Sequence, residues 1–419
     1  LYFCVTLSKK MKQLCINYKN SDRLLSQVNL PASKSIANRA LIVASLGGFV
    51  SSIENLSDCD DTRAVINALS SKTHTPNVGA AGTAMRFLTA YYAQMPGVWQ
   101  LSGSERMHQR PIAIMVDALR SLGADITYLQ KEGYPPLRIV GKQLRGGEIA
   151  LNGGVSSQYI SALLMIAPYM EQGLVLHLTD KVVSVPYIQM TLSLMRFFGV
   201  ESTFDGTTIR IAPQLYKAVP FVVENDWSAA SYWYATVALR PGTTLFLPYL
   251  QEKSWQGDAQ LVNLFKPLGV CTTFVNGGVE LSSSAEPVVS QYTCDLASQP
   301  DLAQTLVVTC LMLGIPFRFS GLGNLKIKET DRIAALIAES KKMGFLLHEV
   351  AEGVLAWEGE RCPAAKPICI DTYEDHRMAM AFAPAVFKLG DICINNPQVV
   401  TKSYPQFWEE LSKFVTFVS

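Results

Sequence analysis

One pattern of apolar and polar positions recurs along the chain: an amphipathic helical stretch ends at a glycine, and a β-type stretch follows. It appears in VDALRSLGADITYL from Val116, LSLMRFFGVESTF from Leu192, LVNLFKPLGVCTTFV from Leu261 and IAESKKMGFLLHEV from Ile337. Apolar residues at helical spacing bury one face. A glycine just past the last turn accepts a left-handed conformation and ends the helix. The β-branched and aromatic residues beyond it suit a strand. The four glycines, Gly123, Gly199, Gly269 and Gly344, stand 76, 70 and 75 residues apart. That period is too long for a solenoid repeat. It suits a compact α/β unit with two helices and several strands, and six such units would account for the 419 residues.

The most apolar stretch, Leu302 to Phe319, contains Gln304, Thr305, Thr309, Gly314 and Pro316. A membrane span needs roughly 20 predominantly apolar residues, so this stretch is read as a buried helix and strand. The opening LYFCVTLSKKMKQ has no clear cleavage site or long apolar core and is not read as a signal peptide; Met11 is an alternative start. With 49% hydrophobic residues the chain can build large cores, and its length suggests two or three domains. A formal charge of +1 gives no reason to expect a nucleic-acid or membrane partner. Nine scattered cysteines, with no CxxC pair, are expected to be buried or free thiols in a reducing cytosol. They offer no zinc-site spacing.

Candidate chemistry gathers at five helix starts. A helix N-terminus presents unpaired N–H groups and the positive end of the dipole, so it receives phosphate and carboxylate well. The first start is Pro31 to Arg39, PASKSIANR, where Lys34, Ser35 and Arg39 form a phosphate-like set and Ser35 and Arg39 share a face. The second is Gly79 to Arg86, GAAGTAMR, whose small residues allow close approach. The third is Ser156-Ser157-Gln158, a run of polar side chains longer than capping alone requires. The fourth is Lys328-Glu329-Thr330-Asp331-Arg332, and the fifth is Asp375-His376-Arg377, with Asp375 as the natural cap. A cation in that first turn opposes the dipole by a few tenths of a kcal/mol unless an anion is present. Pro384 is expected to bend the helix that follows. Each start alone has an ordinary structural explanation. Together they suggest helix ends converging on ligands with more than one anionic group.

These segments resemble a known family. PASKSIANRAL, AGTAMR, SSQ, Ser184-Val185-Pro186-Tyr187, KETDR, DHRMAM and Thr401-Lys402-Ser403-Tyr404-Pro405 occur in the order found in the 5-enolpyruvylshikimate-3-phosphate (EPSP) synthases, across residues 31 to about 408. The resemblance implies an inside-out α/β barrel fold of two domains, each with three βαβαββ units. Residues 1–30 and 226–419 would form one domain and 31–225 the other, with the active site in the cleft between them. It implies transfer of the enolpyruvyl group of phosphoenolpyruvate to shikimate 3-phosphate, by a cytoplasmic monomer without metal or cofactor. Shikimate 3-phosphate would lie against Lys34, Ser35, Arg39, Ser156, Ser157, Gln158, Ser184, Tyr187, Asp301, Asn324 and Lys328. Phosphoenolpyruvate would lie against Lys34, Gly82, Arg110, Gln158, Arg332, Arg377 and Lys402. Asp301 would be the base for the 5-hydroxyl, and Glu329, with Lys34, the proton donor at C3. A carboxylate among cations normally has a lowered pKa, so an acid role for Glu329 requires burial or a like-charge neighbour.

Two positions depart from the family pattern. Ala80 stands where Asn is common before AGTAMR, and Phe87 where Pro is common after it, which is expected to shift the helix carrying Gly82. Gly82 is expected to leave room for the inhibitor glyphosate. The nearest rival, the enolpyruvyl transferase acting on UDP-N-acetylglucosamine, carries a loop cysteine that Arg106-Met107-His108-Gln109-Arg110 lacks. A non-catalytic phosphometabolite binder is disfavoured by intact Lys34, Asp301, Glu329 and Arg332. A nucleotide-binding enzyme is disfavoured because there is no GxxxxGK[ST] and no GxGxxG after a predicted strand.

Overall fold

The computed structural model describes residues 11–18, 27–71, 73–154, 156–180, 182, 185–283 and 289–418. Cys4 and Ser184 lie outside them. The chain divides into an inserted unit, residues 32–224, and a terminal unit formed by 1–31 with 225–419.

The inserted unit holds helices α1 (Lys34–Gly47), α2 (Asp60–Ser70), α3 (Gly82–Gln94), α4 (Ala113–Ser121), α5 (Ser157–Ile166) and α6 (Val185–Phe197). One copy of the repeat is complete. Strand Gly147–Asn152 leads through α5 to Leu174–Thr179, and α6 leads to the hairpin Thr203–Phe204 and Thr208–Ile211. The first two strands pair in parallel, and the hairpin adds antiparallel to the second. In the copy built on α3 and α4, strand Leu137–Gly141 lies between Gly97–Leu101 and Asp125–Tyr128, and the leading strand is reduced to a parallel bridge, Asn77 to Ser102. The copy built on α1 and α2 keeps the short parallel pair Ile53–Glu54 and Phe221–Val222.

The terminal unit repeats this plan with α7 (Trp227–Leu239), α8 (Leu261–Phe265), α9 (Ala303–Leu313), α10 (Arg332–Lys342), α11 (His376–Phe382), α12 (Val386–Leu389) and α13 (Phe407–Leu411). Its complete copy runs Tyr292–Asp295, α9, Phe317–Ser320, α10, then the hairpin His348–Ala351 and Val354–Trp357. A second copy uses α7 and α8 with the antiparallel strands Thr244–Pro248, Gly278–Ser283 and Val270–Val275. The third runs Cys369–Ile370, α11, Asp391–Asn395, α13 and Thr416–Val418. Its last strand is Gln13–Asn17, from the other end of the chain, which pairs between Asp391–Asn395 and Thr416–Val418.

The division of labour between helices follows from composition. The first helix of a copy is apolar all round and therefore buried. Every residue of α7 except Ser228 is buried, as is every residue of α11. The second helix is amphipathic: α10 buries Ile333, Leu336 and Ser340 on one face and leaves Lys341 exposed. Helices thus lie inside and sheets outside, the inside-out α/β arrangement. The four repeat glycines, at φ 102°, 83°, 85° and 93°, each end the second helical segment of their copy. The Leu302–Phe319 stretch forms α9 and the strand after it, with Gly314 at φ 71° between them. At Pro384 the expected bend is a break: α11 stops at Phe382, and a 3-10 turn, Ala383–Ala385, leads into α12. No helix among the described residues is long and apolar enough to cross a membrane.

One expectation is corrected. Cys15 and Cys393 are joined in a disulfide, whereas the cysteines were read as unpaired thiols. The two residues stand directly opposite on antiparallel strands, a placement that spacing in sequence gives no means to find. Cys59, Cys271, Cys294, Cys310, Cys362 and Cys369 are free.

Candidate active site

In the inserted unit, the starts of the three buried helices come together. Ser33 caps α1, its hydroxyl accepting from the Ile36 N–H at 3.4 Å. Lys34 opens the helix, with Nζ 3.5 Å from the buried Asp61 carboxylate of α2. One turn on, Arg39 is buried and bonded in three directions. Its guanidinium donates to the Ser35 carbonyl at 2.8 Å, to Thr191 Oγ1 of α6 at 2.8 Å and to Ser161 Oγ of α5 at 3.0 Å. Burial pushes its pKa down to about 10, with Tyr187 opposing. Phe87 does not disturb α3, which runs unbroken from Gly82. Its ring lies under the Arg39 guanidinium, 5.3 Å from centroid to Cζ.

Gly82 and Arg110 meet. A Cβ at Gly82 would stand 2.6 Å from Arg110 Nη1, so a hydrogen there is what lets the guanidinium lie over the start of α3. At α5, Ser156 Oγ accepts from the Gln158 N–H at 3.4 Å, and Gln158 Nε2 reaches Thr83 Oγ1 of α3 at 3.2 Å. Ser157 is the first residue of α5, and Tyr187 lies in the first turn of α6, each partly buried. Ala80 is exposed ahead of α3.

In the terminal unit, the corresponding helix starts carry acids as well as cations. Arg332, at the start of α10, is buried and forms ion pairs with Asp375 at 2.6 Å, Asp301 at 2.9 Å and Glu329 at 3.1 Å. Burial works against its charge, but Asp375, Glu329 and Asp301 outweigh it and raise the pKa. Arg377, in the first turn of α11, donates to Asp301 Oδ2 at 2.8 Å and to the Tyr232 hydroxyl of α7 at 3.4 Å. The anion that this unfavourably placed cation calls for is therefore supplied by the chain itself. Lys402 Nζ lies 2.7 Å from Glu329 Oε1, and Lys328 Nζ lies 3.9 Å from Asp301 Oδ1. Asn324 is in the 3-10 turn Gly323–Ile327, just before Lys328.

Asp301 sits in the short turn that leads into α9, its side chain 18% exposed. Burial alone would raise its pKa, but Arg377, Lys328 and Arg332 hold the carboxyl well below the usual range, with Glu329 opposing them. Glu329 has both the partial burial and the acidic neighbour that a proton donor requires, yet its two oxygens accept from Lys402 and Arg332. Asp375 does two jobs: it caps α11 through the Arg377 N–H at 2.8 Å and pairs with Arg332.

Sequence reasoning singled out Asp375 only as a cap, and it missed Asp61, Thr191 and Ser161. Only Asp61 left a trace, as an acid in the first turn of α2. It also missed Asp258, a buried acid whose Oδ2 accepts from the Ser228 hydroxyl. Burial, then Asp301, pushes the Asp258 carboxyl up to about 7, with Ser228 opposing.

A family model described as EPSP synthase (3-phosphoshikimate 1-carboxyvinyltransferase) matches residues 18–72 and 69–411. The chain belongs to the EPSP synthase family. A relative in Bacteroides fragilis (strain YCH46), named 3-phosphoshikimate 1-carboxyvinyltransferase, is 51% identical over 392 residues, covering 93% of this chain and 95% of the relative. One of the same name in Cellvibrio japonicus (strain Ueda107) is 37% identical over 417 residues, with coverage of 93% and 96%. These names favour the EPSP synthase reading over the UDP-N-acetylglucosamine one. In fold, the chain is similar to an EPSP synthase structure from Acinetobacter baumannii, with a TM-score of 0.75 at 19% identity, covering 97% of this chain and 100% of that one.

Proposed function

We propose that the residues gathered at these helix starts bind phosphoenolpyruvate and shikimate 3-phosphate and transfer the enolpyruvyl group between them, in the cytoplasm. The observation that carries this reading is the cluster around Asp301, where two acids suited to proton transfer stand among four cations suited to phosphate and carboxylate. Ser35, Arg39, Ser156, Ser157, Gln158 and Tyr187 of the inserted unit take shikimate 3-phosphate, joined by Ser184 and by Asn324 and Lys328 of the terminal unit. Arg332, Arg377 and Lys402 take phosphoenolpyruvate with Lys34, Gly82, Arg110 and Gln158. Arginine forks suit carboxylate and phosphate oxygens bidentately, which offsets the repulsion between two polyanions.

The chemistry follows from the acids. Asp301 is ionised at neutral pH because Arg377, Lys328 and Arg332 outweigh its burial. It accepts the proton of the 5-hydroxyl as that oxygen attacks C2 of phosphoenolpyruvate. Glu329, with Lys34, delivers a proton to C3. The tetrahedral intermediate then loses phosphate through C–O cleavage and gives back a C3 proton, leaving the enol ether. Before substrate binds, the cations of the terminal unit are occupied by Asp301, Glu329 and Asp375. Anionic substrates compete for those cations and relieve the field that keeps the proton affinity of Asp301 low. The base is strengthened by the binding event that presents the hydroxyl.

The test is release of inorganic phosphate from the two substrates together. Wild type should turn over, and Asp301→Asn should lose on the order of 100- to 10,000-fold in kcat while still binding shikimate 3-phosphate. A wild-type protein that binds both compounds and releases no phosphate would identify a binding protein instead.

A further inference from the structure

Helix α10 grips the segment that leads into α11 at two places. Arg332, at its first position, holds Asp375. Glu339 lies seven residues on, two turns later and on the same face. It is fully buried, and no reading of the sequence or of the reaction gave it a role. Its Oε2 accepts the Asp371 N–H at 2.9 Å, and its Oε1 accepts the Tyr373 hydroxyl at 2.6 Å. Lys342 closes the arrangement, with Nζ 2.8 Å from Glu339 and 2.7 Å from Asp371. Asn395 holds the other Asp371 oxygen at 2.7 Å.

Between these grips the backbone is strained. Tyr373 and Glu374 are consecutive non-glycine residues in the left-handed region, at φ 52° and 56°. Side chains with a Cβ take that conformation only when their surroundings enforce it. Asp371 lies two residues before the kink and Tyr373 within it, and Glu339 is bonded to both. The next residue is Asp375, whose N–H returns to the Thr372 carbonyl at 2.8 Å. Asp375 then orients Arg332 and caps the helix that carries Arg377.

We infer that Glu339 is a positioning residue: through Asp371 and Tyr373 it holds the Tyr373–Glu374 kink and so sets Arg332 and Arg377 in place for phosphoenolpyruvate. The inference rests on the assignment of those two arginines to that substrate. Released from Glu339, the kink would relax toward ordinary backbone angles. Asp375 would then move off Arg332, and the first turn of α11 would shift.

The experiment uses the full chain and steady-state kinetics with each substrate varied in turn. Glu339→Gln keeps the side chain's shape, removes its charge and puts a donor against donors. It should raise KM for phosphoenolpyruvate by about tenfold and leave KM for shikimate 3-phosphate within about twofold. Tyr373→Phe, which removes one hydroxyl from a partly exposed ring, should act the same way to a smaller degree and serves if Glu339→Gln does not fold. Adding Glu374→Gly to either variant lets the kink form at little cost, so it should recover part of the loss. A lowered melting temperature with both KM values unchanged in both single variants would make Glu339 purely structural and overturn the inference. So would equal rises in both KM values. Arg377→Ala reports on the underlying assignment: if it leaves KM for phosphoenolpyruvate unchanged, that assignment fails and the inference with it.

Discussion

Arg39 and Arg332 are both buried arginines at helix starts, one in each unit, and their surroundings differ in kind. The three directions of Arg39 end on a carbonyl and two hydroxyls, and burial pushes its pKa down to about 10. Arg332 meets three carboxylates, and its pKa is raised. Among the described residues, no carboxylate is paired with Arg39. Arg39 therefore keeps its positive charge on neutral supports, where in the proposed reaction an incoming phosphate is the missing counter-ion, whereas Lys34 of the same unit is paired with Asp61. In the terminal unit Arg332, Arg377 and Lys402 are neutralised in advance by Asp301, Glu329 and Asp375, and in the proposed reaction the first two of these acids move the protons. In the proposed reaction, binding and chemistry are thus weighted differently between units built on the same repeat.

The sharpest way to break this contrast is at Asp258, a buried acid of the terminal unit whose Oδ2 accepts from the Ser228 hydroxyl. Its pKa is raised to about 7 by burial, with Asp301 adding to it. A carboxyl raised above its unfolded value, about 3.9, stabilises the fold below that value, and the contribution is lost as pH climbs through about 7. Asp258→Asn should therefore raise the melting temperature at pH 8, corresponding to about 2 kcal/mol, and give no gain at pH 4. Thermal melts at the two pH values measure this; identical shifts at both would refute it.

Next in size is Gly82→Ala, which acts on the inserted unit. The added methyl falls on the Arg110 guanidinium, so KM for phosphoenolpyruvate should rise about tenfold, with KM for shikimate 3-phosphate nearly unchanged. An unaffected KM would mean that Arg110 is not needed where it lies. The smallest effect is expected from Thr191→Val, which removes one neutral support of Arg39 at a cost of about 1 kcal/mol. KM for shikimate 3-phosphate should rise about threefold, and a larger loss than at Gly82 would reverse the ranking.

The repeat was legible in the sequence because its signals are local. A glycine after an amphipathic run marks a helix end wherever it falls, and Gly123, Gly199, Gly269 and Gly344 all adopt positive φ. The helix starts were legible for the same reason: a cap and its first turn are adjacent in sequence. What supports the charged groups was not. Arg332 and Asp375 are 43 residues apart, and Arg39 and Thr191 are 152 apart. No periodicity connects such positions; only the packing of one buried helix start against another does. Phe87 was read as a threat to α3, and its ring instead lies beneath Arg39. The last strand of the third terminal repeat escaped notice because the chain delivers it first, as Gln13–Asn17.

That strand has a mechanical consequence. Through it the disulfide joins two residues separated by 378 positions. A pull applied at Lys12 and Val418 would pass from Cys15 to Cys393 through sulfur and load only the short segments outside the link. At roughly 3.5 Å per residue, on the order of 1,300 Å of chain would be shielded from extension. With the link reduced, the same pull would have to strip Gln13–Asn17 from its neighbours before tension reached the inserted unit. Whether the chain answers force as a closed ring or as an open string is decided by one pair of sulfur atoms.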